Sequence, residues 1–148
     1  MVSGRGETVR IKFTVLGEPR GKGRPQFSSV NGRAIARTPK QTALYENLVV
    51  TEYRRQVGDA KFPDDAELDM RIMAYYTIPA SASKKKQGQM NCWEKRPTKK
   101  PDMDNIVKVV SDALNAVAYR DDAQIVDCQI RKFYSHNPRI EVTIIAAK

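Results

Sequence analysis

The chain has 148 residues, 41% of them hydrophobic, and a formal net charge of +9 from 26 Lys and Arg residues against 17 Asp and Glu residues. We expect a single domain spanning residues 1–148, because this length supports one core and is short for two. No stretch approaches the roughly 20 apolar residues that cross a bilayer, and residues 1–7 lack a signal-peptide core, so we expect a cytoplasmic protein without membrane contact. Two cysteines and one histidine cannot supply the four ligands of a zinc finger.

The positive charge is concentrated in two segments. Residues 1–40 contain nine Lys and Arg residues and two acids, and residues 84–100 contain seven and one. The rest of the chain is net negative. Basic stretches are often only solvated surface, but a field of this size attracts a polyanion. We therefore expect a nucleic-acid partner.

The first half of the chain predicts a strand, a hairpin and a helix. Apolar and polar residues alternate over 9–15, which indicates a strand ending near Gly17, and a cationic loop rich in Gly and Pro follows. Asn31-Gly32 favours a tight hairpin turn. Thr38 as N-cap with Pro39 at the first helical position predicts a helix that reaches Gly58. The apolar face expected for this helix comprises Leu44, Leu48, Val49 and Tyr53.

The second half predicts a further helix and three strands. Residues 68–78 alternate most regularly and indicate a strand, whereas residues 79–101 lose periodicity and read as a long basic loop. Within that loop, Trp93 is favoured as an anchor over a base-stacking surface. An apolar stripe over 106–117 predicts a helix, and 124–134 with 139–146 predict two strands. The expected fold is α/β or α+β, a mixed sheet packed by about two main helices.

Acidic side chains cluster around this second helix. Asp104, Lys108 and Asp112 follow i, i+4 spacing on its polar face, where they could meet a shared ligand or form an exposed salt-bridge ladder. Asp102 would lie 200° from Asp104 in a continuous helix, so Pro101 should delay the first regular turn until after Asp102. The pair Asp121-Asp122 follows the helix, either converging on the same cavity or serving as ordinary turn residues.

Other acidic and phosphate-binding motifs fail on specific residues. An EF-hand starting at Asp102 requires glycine and glutamate where Val107 and Ala113 stand. An Asp-x-Asp phosphatase motif normally ends an apolar strand, whereas polar and basic residues precede this one. A nucleotide-binding G-x-x-x-x-G-K-[ST] loop does not occur in the sequence.

The chain resembles the RusA-type Holliday junction resolvases over most of its length. The resemblance lies in residues 21–25, 38–39 with 45–46, 78–79 with 83–86 and, most specifically, 100–105 continuing through Lys108, 112–115 and 121–125. It implies a homodimer of bacterial or phage origin that uses Mg²⁺, with Mn²⁺ able to substitute, to nick four-way junction DNA in pairs. By the same resemblance, Asp102, Asp104 and Asp122 are metal-binding acids and Lys108 is the catalytic lysine. Asp121 is a supporting group, although either acid of that pair could be the ligand.

Several cations are candidates to hold DNA phosphates without reading sequence. These DNA-binding candidates are Lys22, Arg24, Lys84, Lys85, Lys86, Lys99 and Lys100. Two other functions stay open on the residues. One is a metal-dependent nuclease for other branched DNA, and the other is a non-catalytic DNA-binding module whose acids are caps and surface charges.

Overall fold

The computed structural model describes residues 9–147, and the start of the chain, on which the expected absence of a signal peptide rested, lies outside them. Six strands and three helices follow one another along this part of the chain. Their order is β1 (Val9–Leu16), β2 (Gln26–Val30), β3 (Arg33–Arg37), α1 (Lys40–Gln56), β4 (Glu67–Thr77), α2 (Lys84–Asn91), α3 (Met103–Ala113), β5 (Ile125–Ser135) and β6 (Arg139–Ala147).

A four-stranded mixed sheet in the order β1-β6-β4-β5 organises the domain. β6 pairs antiparallel with both β1 and β4, whereas β5 pairs parallel to β4. Parallel neighbours cannot be joined by a tight turn, so the chain between them makes a crossover, and α2 and α3 lie in it. The mixed α+β architecture expected from the sequence is confirmed, with a third, short helix added.

The core lies on one face of the sheet, under α1 and α3. Alternate residues of β1, β4 and β6 point into it, as the period-2 patterns predicted. From α3, the apolar stripe contributes Ile106, Val109 and Val110, each fully buried. From the central strands come Leu68, Met70, Ile72, Ala74, Ile140, Val142 and Ile144, all with at most 1% of their surface exposed. The predicted strands and the helical stripe are therefore confirmed.

The α1 prediction was wrong in two respects. The helix begins at Lys40 rather than Pro39, because Pro39 has an extended ψ of 143° and makes no side-chain cap bond. Leu44 and Leu48 were expected in the core but are 58% and 39% exposed. The buried face of the helix instead carries Thr42, Tyr45, Val49 and Tyr53.

Residues 79–101 are not one long loop. They contain α2, whose N-cap is Ser83, with its hydroxyl accepting a hydrogen bond from the Lys86 amide at 3.3 Å. The helix was missed because it is polar on nearly every face, and Met90 is its buried residue. After α2, the Trp93 ring packs 4.5 Å from the Phe133 ring and its indole N–H donates to the Tyr134 carbonyl at 3.2 Å. Trp93 thus anchors this segment to β5.

The end of α3 also differs from the expectation. The helix stops at Ala113 rather than near Val117, with Leu114 as C-cap and Ala116 at a left-handed φ of 64°. The next residues turn back so that the Tyr119 hydroxyl donates to the Ser111 carbonyl at 2.7 Å. Among the described residues, no helix combines the length and the apolar character needed to cross a membrane.

Candidate active site

The first acidic residues lie at the N-terminus of α3. Asp102 has an extended backbone and precedes the first helical residue, and Asp104 lies in the first turn, as the proline argument predicted. The Asp102 charge acts on one residue of β4 and one of β5. Burial and then the charge of Asp102 raise the pKa of Tyr76, and the same charge offsets part of the lowering that burial imposes on the pKa of Lys132.

A second acidic group lies at the C-terminal end of α3. The Lys108 ammonium is 3.1 Å from Oδ2 of Asp112, which makes the i, i+4 pair expected from the sequence. Asp122 arrives from the following connection, and its carboxyl group interacts with that of Asp112. Burial, and then the charges of Asp121 and Asp112, raise the pKa of Asp122, while Lys108 works in the opposite direction. Asp122 therefore shares a site with the polar face of α3.

Local hydrogen bonds distinguish Asp121 from Asp122. The carboxylate of Asp121 caps a short 3-10 turn by accepting from the Ala123 amide at 3.0 Å, and the Gln124 side chain bonds back to the Asp121 amide. The Asp122 amide donates to Oδ1 of Asn115 at 2.8 Å. Asp121 is thus engaged in its own turn, and Asn115 holds the backbone that presents the Asp122 side chain.

Lys22 belongs to the same site. Its ammonium lies 2.8 Å from Oε2 of Glu46 and 3.5 Å from Oδ2 of Asp112. All three side chains are 20% exposed. Burial works to lower the pKa of Lys22, but the bonds and charges of the two acids outweigh it and raise that pKa. Lys22 therefore links α1 to the acidic end of α3.

Close packing explains the glycines around Lys22. A Cβ on Gly21 would stand 2.8 Å from Cβ of Asn105, and one on Gly23 would stand 2.9 Å from Oγ1 of Thr42. The backbone is fixed at the same points, since the Lys22 amide donates to the Asn105 carbonyl and the Gly23 amide donates to that Thr42 hydroxyl. The loop is thus fitted between the N-terminal parts of α1 and α3.

The acids do not form a single cluster. Asp104 and Asp112 are eight residues apart, which is about 12 Å along a helix. Within residues 9–147, no group of three or more His, Cys, Asp or Glu side chains is arranged to hold one metal ion. The structure brings Asp122 to Asp112 and Lys108 and leaves Asp102 and Asp104 at the other end of α3. Sequence reasoning left Asp112 either as a salt-bridge partner of Lys108 or as a contact for a shared ligand, and it gave no role to Asn115, although Asn115 lies on the same polar face.

The predicted DNA-binding cations lie on different elements. Lys100 lines a cleft of about 400 Å³ together with Lys22 and Arg20, between the N-terminal parts of α1 and α3. Arg24 and Lys99 are exposed and are neighbours in sequence of residues that line this cleft. The Lys99 ammonium lies 6.0 Å from the centre of the Tyr134 ring. Lys84, Lys85 and Lys86 form the exposed first turn of α2.

Sequence comparison assigns the chain to a family. Residues 17–145 match the family described as Endodeoxyribonuclease RusA. An uncharacterized protein of Bacillus subtilis (strain 168), YqaN, is 40% identical over 134 residues, covering 90% of this chain and 94% of the relative. The family match over residues 17–145 includes the loop at Lys22, α3 and its acids, and the turn at Asp122. The chain belongs to the RusA family of endodeoxyribonucleases.

Proposed function

We propose that the protein is a Mg²⁺-dependent endonuclease that resolves Holliday junctions by paired nicks during DNA recombination and repair. The observation that carries this proposal is the meeting of Asp112 and Asp122 beside Lys108 in a RusA-family chain of net charge +9. A four-way junction has approximate two-fold symmetry. We therefore propose a homodimer, whose two sites would face opposed strands.

The donor set suits the proposed metal. Mg²⁺ is usually held by one or two carboxylates and completes its shell with water, and Asp112 with Asp122 offers two carboxylates at one point. On the family resemblance, Asp102 and Asp104 are proposed metal-binding acids as well as Asp122, although they lie at the other end of α3 from the Asp112–Asp122 pair. A divalent ion would supply Lewis-acid activation for phosphodiester hydrolysis. Mn²⁺ accepts the same oxygen ligands, so we expect it to substitute.

The remaining residues of the site have distinct proposed roles. The Lys108 side chain is 62% exposed while its ammonium stays at Asp112, so it can reach a bound phosphate and stabilise developing negative charge. Asn115 acts as a positioning residue for Asp122, and Asp121 supports the turn that carries it. Each of these groups lies on α3 or in the turn that follows it.

The DNA contacts are proposed from charge and exposure. Arg24, Lys99, Lys100 and the exposed first turn of α2, residues 84–86, are placed to hold phosphates without base readout. Lys22 was predicted to do the same. Its contacts with Glu46 and Asp112 favour a positioning role instead, because its ammonium is already neutralised by two carboxylates.

Cleavage of labelled synthetic DNA tests the proposal. A four-way junction, a flap and a linear duplex are compared at one salt concentration with Mg²⁺, Mn²⁺ or a chelator. We expect paired, symmetric nicks on the junction that require the metal. Asp104→Asn and Asp122→Asn should abolish nicking and preserve junction binding, whereas Asp65→Asn, an exposed acid in a turn, should cleave like the wild type.

The two alternative functions give different results in the same assay. Equal cleavage of flaps and junctions would favour a general nuclease for branched DNA. Metal-dependent nicking that survives Asp104→Asn and Asp122→Asn would refute the proposed ligands. Absence of all cleavage, with binding intact, would favour a non-catalytic DNA-binding module.

A further inference from the structure

The hairpin β2–β3 is a separate two-stranded ribbon. Within the described part of the chain, its strands pair with each other and not with the main sheet. Phe27, Val30 and Ile35 on this ribbon are 74%, 41% and 36% exposed. An isolated two-stranded hairpin is at best marginally stable in water. We therefore expect its exposed apolar side chains to pack against another molecule.

Charge identifies the kind of surface. From residue 19 to residue 45 the sequence contains six Lys and Arg residues and neither Asp nor Glu. Arg33 and Arg37 belong to β3, and the register places them on one face of the ribbon together with Ile35. A partner for this segment must accept cations and apolar groups side by side. Nucleic acid does so, because it offers phosphates next to the flat faces of bases.

The opposite face of the ribbon is flat. Phe27 pairs with Ala36, and Ser29 pairs with Ala34, so Phe27 is the one large side chain on this face. Small neighbours permit close approach of a planar group to the exposed phenyl ring. Base stacking on aromatic rings tolerates any sequence, since every base has a π face.

The ribbon starts beside the acidic site. Gly23, three residues before β2, is fixed to Thr42 of α1, and Lys22 contacts Asp112. Strands of five residues extend about 17 Å, and the DNA major groove, about 12 Å wide, admits a two-stranded ribbon. DNA held at the acidic site would therefore lie within reach of the ribbon.

We propose that the β2–β3 ribbon is a DNA-binding arm, in which Arg33 and Arg37 contact phosphates and Phe27 stacks on a base at the branch point. Bases at a branch can leave the duplex stack more readily than bases in a continuous duplex, and apolar side chains commonly occupy such steps. This inference rests on the proposed function, since it names how branched DNA is held next to the acids.

Binding without any divalent ion tests the arm separately from catalysis. The probes are a four-way junction with 2-aminopurine at the branch point and a linear duplex of matching sequence. We expect wild-type binding to raise the junction fluorescence. Phe27→Ala should weaken junction binding about tenfold and remove the fluorescence rise, whereas Phe27→Trp should restore both.

Arg33 and Arg37 should affect binding differently from Phe27. Arg33→Ala combined with Arg37→Ala should weaken binding of junction and duplex alike, and the salt dependence should become shallower by roughly two phosphate contacts. Leu16→Ala and Arg10→Ala are the matched controls, because both residues are exposed on β1 rather than on the ribbon. All variants should unfold at the wild-type midpoint, since the changed side chains are exposed.

Two outcomes would refute the proposal that the ribbon is a DNA-binding arm. The first is Phe27→Ala binding the junction with wild-type affinity and a full fluorescence rise. The second is that light scattering shows a lower oligomeric state for Phe27→Ala while its affinity for the junction, per subunit, is unchanged. That result would show that the ribbon binds a second copy of the chain. If the wild type fails to nick with Mg²⁺ but ribbon variants still lose binding, the proposed nuclease function is refuted and the arm is supported.

Discussion

The ion pairs of Lys22 allow a quantitative test of its positioning role. The ammonium lies 2.8 Å from Glu46, and both side chains are 20% exposed. At this distance the Coulomb attraction is about 6 kcal/mol for an effective dielectric of 20, before the cost of desolvation is subtracted. Losing one partner costs roughly 3–5 kcal/mol for buried pairs and about 0.2–1 kcal/mol for exposed pairs.

With 20% of each side chain exposed, the Lys22–Glu46 pair lies between the buried and exposed limits. Lys22→Met retains most of the apolar stem but leaves Glu46 and Asp112 without their shared cation, and we expect it to lower the free energy of unfolding by about 2 kcal/mol. Glu46→Gln should cost less, about 1 kcal/mol, because Lys22 keeps its contact with Asp112. The double variant should lose about 2 kcal/mol, which corresponds to a coupling energy near 1 kcal/mol.

Urea unfolding at neutral pH measures all three variants, provided that the dependence on denaturant is unchanged. Lys12→Met is the matched control, because Lys12 is 3.9 Å from Glu141 and its side chain is 54% exposed. We expect that control to lose less than about 0.5 kcal/mol. Equal losses for Lys22→Met and Lys12→Met, with a coupling energy indistinguishable from zero, would refute the role assigned to Lys22.

Three further predictions follow from single contacts. Asn115→Ala removes the acceptor of the hydrogen bond from the Asp122 amide. We expect urea unfolding to show a loss of about 1–3 kcal/mol in the free energy of unfolding, and we expect reduced metal-dependent nicking. Unchanged nicking would contradict the positioning role of Asn115. Gly21→Ala forces its new Cβ against Asn105 and should cost about 1–3 kcal/mol, so a neutral thermal midpoint would show that the loop yields easily. The buried hydroxyl of Tyr45 makes no hydrogen bond of normal geometry in residues 9–147, and burial raises its pKa to about 12 although the backbone and charge of Arg20 work in the opposite direction. Because that pKa is raised on folding, the protonated phenol stabilises the fold below about pH 10, and this contribution should fade as the pH rises to about 12. Tyr45→Phe should remove the part of the loss that Tyr45 causes and leave stability at neutral pH equal or higher. Unfolding at neutral pH and at about pH 12 tests this prediction.

The elements that sequence predicted well are those whose burial follows a simple period. The alternation over residues 68–78 and the stripe from Ile106 to Val110 each reflect one buried face, which side-chain polarity reports directly. The Asn31-Gly32 turn was equally predictable, since both residues adopt the positive φ that the hairpin requires.

The errors have physical causes that polarity does not report. α2 forms with one buried side chain, Met90, so no apolar stripe marks it. α1 buries Thr42 and Tyr45 in place of Leu44 and Leu48, because the loop through Gly23 packs against that side of the helix. Such choices depend on which neighbour arrives from a distant part of the chain.

Within the candidate site, sequence supplied the acids and the local partner of Asp112, but not the contacts made by residues distant in sequence. The i, i+4 rule places Lys108 at Asp112, whereas the contact of Asp112 with Lys22 joins residues 90 positions apart. The bond from the Asp122 amide to Asn115 depends on the turn that follows α3 and on the end of the helix at Ala113. The roles proposed for Asp102, Asp104 and Asp122 stay predictions until the variants are measured.

The anchoring of Trp93 also protects the sheet from unwanted association. β5 is an edge strand, and an unpaired edge can recruit a strand from another molecule. The indole of Trp93 occupies the Tyr134 carbonyl, and the guanidinium of Arg96 occupies the Lys132 carbonyl at 2.8 Å. Side chains thus occupy two of the carbonyls that an incoming strand would use, and they do so without extending the sheet. Loss of both side chains should therefore show as concentration-dependent aggregation under conditions in which the wild type stays dispersed.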